Sequence, residues 1–371
     1  MPEANPLKVL VVDDTLLYRK ILSDVVNGLP GVKTIGTANN GKIAITRIKN
    51  LNPDLVIMDI HMPEMNGIET LEYIKKKWPD IGVIMVSAYN SKDSKYTMKA
   101  LEIGAFDFIA KPEADTMEKN LQFIKKSLYP MIKAYIRRSE IRNLLRKAPE
   151  NKKALEKKVL PATKSNDLIS RMKRLASNRR VKSNVITIGI STGGPNALAK
   201  VIPQLPGNLN VPILIVQHMP PVFTQALAQS LDAKSKLTIV EATEGDIVKP
   251  NYVYIAPGGK QMKVVTDMKG KDKIIRITDD PPENNCKPSA DYLFRSVANV
   301  YGEKSTGVIM TGMGSDGSAG LKVLKAKGAF LIAQNEKSCV VYGMPREPIE
   351  SGIIDIISPL DQIADEIVKT V

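Results

Sequence analysis

The sequence predicts an α/β protein in which two doubly wound, mainly parallel sheets are joined by a basic connector. Before about residue 125 and again after residue 184, short apolar runs alternate with segments of helical periodicity, a pattern typical of parallel sheets covered by helices. The intervening residues 137–183 hold sixteen basic and four acidic side chains, a net +12 of the chain's +14. The predicted division is therefore a first domain at 1–125, a helical extension and basic linker at 126–183, and a second domain at 184–371.

Five strands are predicted in the first domain, each a short apolar run of the kind found in buried parallel strands. Helical patterns separate them, so the connections are crossovers. The predicted strands lie at 7–12, 32–38, 55–58, 81–86 and 106–110, and the helices at 16–26, 43–49, 68–77 and 94–103.

Polar side chains follow the carboxyl ends of these strands, where the functional crevice of a doubly wound sheet lies. Three carboxylates at one edge repel each other unless a cation neutralises them, and oxygen ligands with open positions suit Mg2+. A lysine can pair with phosphoryl oxygens and a hydroxyl can donate to them, so a carboxylate here is a candidate acceptor that forms an acyl phosphate. The five residues are Asp13, Asp14, Asp59, Ser87 and Lys111.

Four motifs in this domain resemble the receiver domain of two-component response regulators, which has a flavodoxin-like fold. The resemblance covers about residues 5–125, and the motifs occur in the family's order. They are VVDD at 11–14, IMDIHMPEMNG at 57–67, MVSA at 85–88 and AFDFIAKP at 105–112.

The resemblance implies a phosphorylation site with a divalent cation. Asp59 is the implied phospho-acceptor, and Asp13 and Asp14 would hold Mg2+ together with Asp59 and the backbone carbonyl of His61. The histidine side chain departs from the acid or asparagine often found two residues after the acceptor.

Three further residues receive roles from the same resemblance. Lys111 would contact the phosphoryl group, and Ser87 would shift to bind it. Phe106 stands where family members carry the aromatic that reports the phosphorylation state. A chemotaxis histidine kinase is the implied phosphodonor once the second domain is considered.

The connector begins with helical spacing over 118–147, and Pro130 is expected to interrupt it. Residues 148–183 are lysine-rich, lack aromatic residues and contain prolines, which predicts a solvated linker. A nucleic-acid-binding output through this basic stretch is the alternative function, and it predicts affinity that falls steeply with salt. No helix-turn-helix pattern is evident, and the charge excess lies in the connector, so we favour the linker and expect no nucleic acid.

The second domain resumes the alternation of strands and helices. Four short strands between the second and third helices read as hairpins inserted at one end of a mainly parallel sheet. The predicted order is a strand from 185, a helix, a strand at 212–217, a helix at 224–231, the four short strands, a helix at 291–300, a strand at 306–312, a helix at 319–327 and a last strand at 329–334.

Three strand ends in this domain carry Ser191, His218 and Asp316. A serine hydroxyl is a poor nucleophile and needs an imidazole to take its proton and an acid to orient that imidazole. The chain has two histidines, and the other one is His61 in the first domain. If the second domain uses a serine–histidine mechanism, His218 is therefore its base.

The spacing Gly189-x-Ser191-x-Gly193 fits a nucleophile elbow, in which glycines permit a tight turn around an exposed serine. An α/β-hydrolase, however, has its acid before its histidine along the chain. The order here is serine, histidine, aspartate, so the elbow spacing does not predict the hydrolase fold.

A dinucleotide site is the competing interpretation of residues 312–317, which satisfy G-x-G-x-x-G and are followed by Glu336. That fingerprint normally opens a Rossmann domain, whereas here a single strand–helix–strand unit remains. Asp316 inside the fingerprint would also repel a pyrophosphate.

Five motifs resemble the catalytic domain of chemotaxis protein-glutamate methylesterases, from about residue 184 to the C-terminus. The resemblance implies Ser191 as nucleophile, His218 as base and Asp316 as orienting acid. Gln261 stands where many members have a histidine. The motifs are GISTGGP at 189–195, VQHMP at 216–220, IAPGGKQM at 255–262, CKPSADYLF at 286–294 and TGMGSDG at 311–317.

The implied reaction is hydrolysis of γ-glutamyl methyl esters on methyl-accepting chemotaxis receptors, with deamidation of particular glutamines. Backbone amides near Thr192 and Met313 are candidate oxyanion donors. We expect no cofactor for this step, and phosphorylation of the receiver is expected to release an inhibited site. With no signal peptide and no apolar run of about 18 residues, we expect a cytoplasmic monomer without membrane insertion.

Overall fold

The computed structural model describes residues 6–112, 116–147 and 181–371, which belong to two compact units divided after Ile136. The predicted linker at 148–183 lies outside the described residues as far as residue 180. None of the helices in the described ranges combines the length and the apolar character needed to cross a bilayer.

The first unit contains a five-stranded parallel sheet in the order β2-β1-β3-β4-β5. Its central strands are buried on both faces, as expected for a sheet with helices on each side. The five predicted strands and four predicted helices are confirmed. The strands are β1 (Leu7–Val12), β2 (Val32–Ala38), β3 (Leu55–Asp59), β4 (Gly82–Ser87) and β5 (Asp107–Ala110).

Asparagines start three of the four helices that cover this sheet. The side chains of Asn40, Asn66 and Asn90 each accept a hydrogen bond from a backbone N–H in the first helical turn, which satisfies a donor that has no partner inside the helix. The helices are α1 (Leu16–Asn27), α2 (Gly41–Leu51), α3 (Gly67–Lys77) and α4 (Ser91–Ile103).

Helix α5 (Met117–Lys147) continues through Pro130, so the predicted interruption is absent. The proline removes one helical hydrogen bond, but Leu128 and Ile132 on either side of it are fully buried. Farther along, the Tyr135 hydroxyl donates to the carbonyl of Asp54 (2.7 Å) and accepts from the N–H of Gly82 (3.0 Å). The packing of this helix on the sheet therefore outweighs the lost bond.

The second unit contains a seven-stranded sheet in the order β14-β13-β12-β6-β7-β9-β8, with all pairs parallel. A separate antiparallel pair, β10–β11, forms the predicted hairpin extension. The strands are β6 (Val185–Ile190), β7 (Ile213–Gln217), β8 (Thr238–Glu241), β9 (Tyr252–Ile255), β10 (Gln261–Thr266), β11 (Lys273–Thr278), β12 (Ser305–Ile309), β13 (Phe330–Gln334) and β14 (Ile356–Ser358).

Two details differ from the sequence prediction. Strands β8 and β9 were expected in a hairpin but pair in parallel within the main sheet, because residues 242–251 return the chain to the end of the sheet where β8 began before β9 starts. Strand β14 extends the sheet beyond β13, which was expected to be the last strand.

Strands β12, β6 and β7 are neighbours at the centre of the sheet, so the loops that follow them meet at one edge. Helix α8 packs directly on β6, since a Cβ atom at Gly189 would lie 2.9 Å from the Cβ of Ala290. The helices of this unit are α6 (Gly194–Val201), α7 (Phe223–Asp232), α8 (Ala290–Tyr301), α9 (Ser318–Ala326), α10 (Arg346–Glu350) and α11 (Ile363–Val368).

Candidate functional site

The carboxyl edge of the first sheet brings Lys111 between two aspartates. Its Nζ lies 2.8 Å from Asp59 Oδ2 and 3.0 Å from Asp13 Oδ2. Asp59 is the last residue of β3, Asp13 follows β1 directly, and both side chains are buried. Strand ends from three parts of the chain therefore place one cation against two carboxylates.

Burial raises the pKa of Asp59 to about 6, because the lowering by Lys111 does not fully compensate for the loss of hydration. Burial lowers the pKa of Lys111, but Asp59 and Asp13 raise it by more, so the net direction is upward. The carboxylate of Asp59 is buried beside a single ammonium, so a further positive charge would stabilise its ionised form.

The donor set fits a hard divalent cation. Oxygens of Asp13, Asp14 and Asp59 all lie within 4.8 Å of one another, and oxygen is the ligand type that Mg2+ prefers. Asp13 Oδ2 makes no hydrogen bond of good geometry within the described residues, and the ion pair with Lys111 is its polar contact. Asp14 is exposed, so the cluster is open to solvent.

Of the other predicted receiver residues, Ser87 and the metal contact His61 follow the carboxyl ends of strands, whereas Phe106 precedes β5 and lies at its amino end. Ser87 ends β4 and its hydroxyl accepts a hydrogen bond from Thr97 (2.7 Å). Phe106 is buried and packs edge-on against Tyr135, with ring centroids 5.3 Å apart. The His61 imidazole contacts Asp93, with Nε2 2.5 Å from the carboxylate, and the metal contact predicted for this residue is through its backbone carbonyl.

The second sheet brings the three predicted catalytic residues to one edge. Ser191 follows β6, His218 follows β7, and Asp316 lies in the loop between β12 and α9. His218 Nε2 is 2.8 Å from Asp316 Oδ2. The imidazole and the acid are therefore paired, while Ser191 sits at the end of the strand between them.

Asp316 is held by donors from one short segment at the start of α8. Its Oδ1 accepts from Ser289 Oγ (2.7 Å), the N–H of Asp291 (3.2 Å) and Asn284 Nδ2 (3.2 Å), and its Oδ2 accepts from the N–H of Ala290 (2.6 Å). Two of these donors are first-turn amides, which favour a negative charge at a helix N-terminus. Burial alone would raise the pKa of Asp316, but the His218, Ser289 and Ala290 contacts lower it to about 2.

The other imidazole nitrogen of His218 faces a cysteine. Cys286 Sγ lies 3.7 Å from Nδ1, and both side chains are half-buried. Burial lowers the pKa of His218, but Asp316 and the Cys286 sulfur raise it by more, to about 9. Since Asp316 holds Nε2, Nδ1 is the nitrogen available to exchange a proton.

Ser191 is anchored through its backbone. Its N–H donates to Thr311 (3.0 Å), and its carbonyl accepts from Gly194 N–H (2.7 Å) and from Gln217 Nε2 (3.0 Å). Within the described residues the Ser191 hydroxyl makes no hydrogen bond, to His218 or to any other group. The structure thus brings His218 and Asp316 into contact, and the Ser191 hydroxyl, at the end of the neighbouring strand β6, has no hydrogen-bond partner among the described residues.

The backbone N–H groups of the two candidate oxyanion donors, Thr192 and Met313, are also without hydrogen-bond acceptors among the described residues. Met313 is 47% exposed, so its segment is accessible from solvent.

Sequence reasoning missed the residues that support Asp316 and His218. Asn284, Cys286 and Ser289 were not identified, although Ser289 has the position of a helix N-cap and does accept from Tyr292 N–H. That cap was the available signal. Gln261, noted as a departure from the family, is buried and accepts from Ser289 N–H (2.8 Å), so it braces the same segment.

Two glycines of the G-x-G-x-x-G motif, Gly312 and Gly317, serve internal packing, whereas a Cβ at Gly314 would meet open space. A Cβ at Gly312 would lie 2.3 Å from Met344 Sδ and 2.8 Å from the Cβ of Ser191. A Cβ at Gly317 would meet Ile309 at 2.8 Å. The space beside Gly312 and Gly317 is filled by the chain itself, which argues against the dinucleotide interpretation.

Comparisons with known proteins match each of the two units to a family. The response regulator receiver domain model matches residues 9–122, and the CheB methylesterase model matches residues 186–367. Two relatives named protein-glutamate methylesterase/protein-glutamine glutaminase come from Desulfotalea psychrophila (50% identical) and Clostridium acetobutylicum (38% identical), and each alignment covers 98% of both chains.

A solved structure extends the likeness to three dimensions. The crystal structure of the Thermotoga maritima CheB methylesterase catalytic domain is 40% identical, covers 52% of this chain and 100% of that chain, and has a TM-score of 0.50. Both resemblances inferred from the motifs are confirmed, as are the fold and enzyme classes they imply, and the nucleic-acid-binding alternative is not favoured. The chain belongs to the protein-glutamate methylesterase/protein-glutamine glutaminase family, with a response regulator receiver domain preceding a CheB methylesterase domain.

Proposed function

We propose that this chain hydrolyses glutamate γ-methyl esters on methyl-accepting chemotaxis receptors and deamidates particular receptor glutamines, under control of phosphorylation at Asp59. The observation that carries the proposal is the Asp316–His218 pair, 2.8 Å apart, at the strand end next to Ser191. The domain order of the family supports a regulated enzyme. Both cysteines are free thiols, which fits a reducing cytoplasm.

In the proposed mechanism, Ser191 Oγ attacks the ester carbonyl carbon while its proton moves to His218 Nδ1. The tetrahedral intermediate collapses to an acyl-enzyme, and the imidazolium returns the proton to the departing methoxide, which leaves as methanol. Water then attacks the acyl-enzyme with His218 again as base, which restores Ser191 and yields a glutamate carboxylate. A glutamine substrate would release ammonia instead.

The supporting residues account for the direction of proton transfer. Asp316 holds Nε2 and stabilises the imidazolium, so the proton is exchanged at Nδ1. The uncommitted amides of Thr192 and Met313 are the proposed oxyanion donors, a contribution of about 3 kcal/mol for one donor. Transfer requires the Ser191 hydroxyl to turn toward His218, which its lack of other partners permits.

At the receiver edge we propose that Asp59 accepts the phosphoryl group from a chemotaxis histidine kinase. Asp13, Asp14 and Asp59, with the backbone carbonyl of His61, would hold Mg2+, which when bound neutralises phosphoryl charge. Lys111, already paired with two carboxylates, would pair with the phosphoryl oxygens.

The remaining receiver residues would respond to that new charge. Ser87 would exchange its Thr97 contact for the phosphoryl group, and the Phe106 side chain would change its packing against Tyr135. The resulting change of surface would release an inhibited catalytic domain in a monomeric protein.

Ser191→Ala removes the proposed nucleophile without disturbing the backbone contacts that anchor residue 191. We expect kcat/KM for methanol release from methylated receptor membranes to fall by about 10⁴-fold or more. Ser351→Ala, at an exposed serine of the same unit, is the matched control and should retain wild-type activity. Wild-type methanol release by Ser191→Ala would refute the assignment.

Asp59→Asn keeps the shape of the acceptor but cannot form an acyl phosphate. With Mg2+ and acetyl phosphate, methanol release by the wild type should rise, whereas Asp59→Asn should stay at the basal rate. Asp24→Asn changes an exposed carboxylate in α1 and should respond like the wild type. Equal stimulation of Asp59→Asn and wild type would contradict phosphorylation control at this residue.

The raised pKa of His218 gives the reaction a distinct pH dependence. The base must be neutral, and with a pKa of about 9 instead of 6.5 it is mainly protonated at pH 7. We therefore expect kcat/KM to increase with pH through 7 and 8, to reach half of its maximum near pH 9, and to level off above that. Asp316→Asn removes one cause of the raised pKa, so its lower activity should level off at a lower pH. A wild-type profile that is already flat at pH 7 would contradict this.

A further inference from the structure

We propose that Cys286 Sγ and His218 Nδ1, which face each other at the edge of the second sheet, form a binding site for a thiophilic divalent cation such as Zn2+. A metal ion bound there would coordinate His218 Nδ1, the nitrogen that serves as the base, and would prevent it from accepting a proton. The methylesterase reaction needs no metal there, so the site would act as a reversible inhibitory one.

The separation of the two ligand atoms matches a zinc coordination shell. Sγ and Nδ1 lie 3.7 Å apart. With a Zn–S bond of about 2.3 Å, a Zn–N bond of about 2.05 Å and a tetrahedral angle, the two ligand atoms are expected about 3.6 Å apart. An ion could therefore be held between them with little movement of either side chain.

Asp316 gives His218 the orientation that a metal-bound imidazole needs. It takes Nε2 at 2.8 Å and leaves Nδ1 directed at the cysteine, the arrangement of a carboxylate–histidine–zinc unit. Asp316 lies within 4.8 Å of the other two ligand atoms. Its two oxygens are already committed to donors from Asn284, Ser289, Ala290 and Asp291, so it orients the ligand instead of binding the ion.

Cys286 is fixed in place by a tight turn. Its N–H donates to Glu283 carbonyl (2.7 Å) and its carbonyl accepts from Glu283 N–H (3.1 Å). Between them Asn284 and Asn285 both have positive φ, 51° and 59°, as in the two-residue turns that reverse a chain most sharply. The thiol is half-buried, so it is partly accessible to solvent, and water would have to supply the remaining ligands of a bound ion.

Binding involves no oxidation. The Cys286 thiol loses its proton to the buffer as the S–Zn bond forms, and any proton on Nδ1 is released in the same way. Only the inhibition rests on the proposed function, because it requires His218 to be the base. The binding itself does not require Ser191 to be the nucleophile.

The test uses the full chain in excess Mg2+, which has little affinity for thiolate and occupies the carboxylates of the receiver. Zinc affinity is measured by competition with a chromophoric chelator, and Co2+ serves as a spectroscopic probe, since cobalt bound to a thiolate gives a charge-transfer band. Cys286→Ser removes the sulfur. Cys339→Ser is the matched control, because Cys339 is the chain's other cysteine and burial raises the pKa of its thiol to about 12.

Wild type, Cys339→Ser and Ser191→Ala should each bind one zinc ion and show the cobalt–thiolate band. In the first two, zinc should suppress methanol release and a chelator should restore it. Cys286→Ser should lose the band and require about tenfold or more zinc for the same fractional inhibition. A Cys286→Ser protein that keeps the wild-type zinc affinity, or wild type without the band, would overturn the proposal. Because Ser191→Ala can be examined for binding alone, failure of the esterase assignment would not be confused with failure of the metal site.

Discussion

The active edge of the second domain depends on one buried carboxylate. Asp316 is surrounded by donors from the first turn of α8 and the segment before it, and the contacts with His218, Ser289 and Ala290 lower its pKa to about 2 against the effect of burial. A permanently charged acid in that position fixes the imidazole of His218 through Nε2. The identity of the reactive nitrogen, the raised pKa of the base and the contact with Cys286 all follow from that single orientation.

In both domains the functional residues lie at the carboxyl ends of a parallel sheet, but the buried carboxylates are stabilised in different ways. In the receiver, Lys111 is the ammonium paired with two buried aspartates, and the pKa of Asp59 stays raised near 6. In the catalytic domain, four hydrogen-bond donors surround the carboxylate of Asp316 in addition to His218. An added cation would therefore stabilise the receiver edge, whereas the His218–Asp316 pair of the catalytic domain is formed without substrate.

The functional residues at strand ends could be predicted from the sequence, because the end of an apolar run marks a fixed position in a parallel sheet. Asp13, Asp59, His218 and Asp316 were predicted on that basis. The contact of Cys286 with the site could not be predicted, because its position depends on a turn at Asn284 and Asn285 and on packing between distant segments. The prediction that β8 and β9 form a hairpin was wrong for the same reason. Local periodicity indicates which side chains are buried, whereas the direction of strand pairing depends on where the intervening chain returns.

The central claim is that Asp316 holds Nε2 of His218 and leaves Nδ1 as the base. The most direct measurement is ¹⁵N NMR of the imidazoles across a pH titration, with a His61→Gln variant to assign the two histidines. We expect His218 to titrate well above 6.5, near 9, and its neutral form to carry the proton on Nε2. A neutral form protonated on Nδ1, or a titration at the ordinary value for histidine, would contradict it.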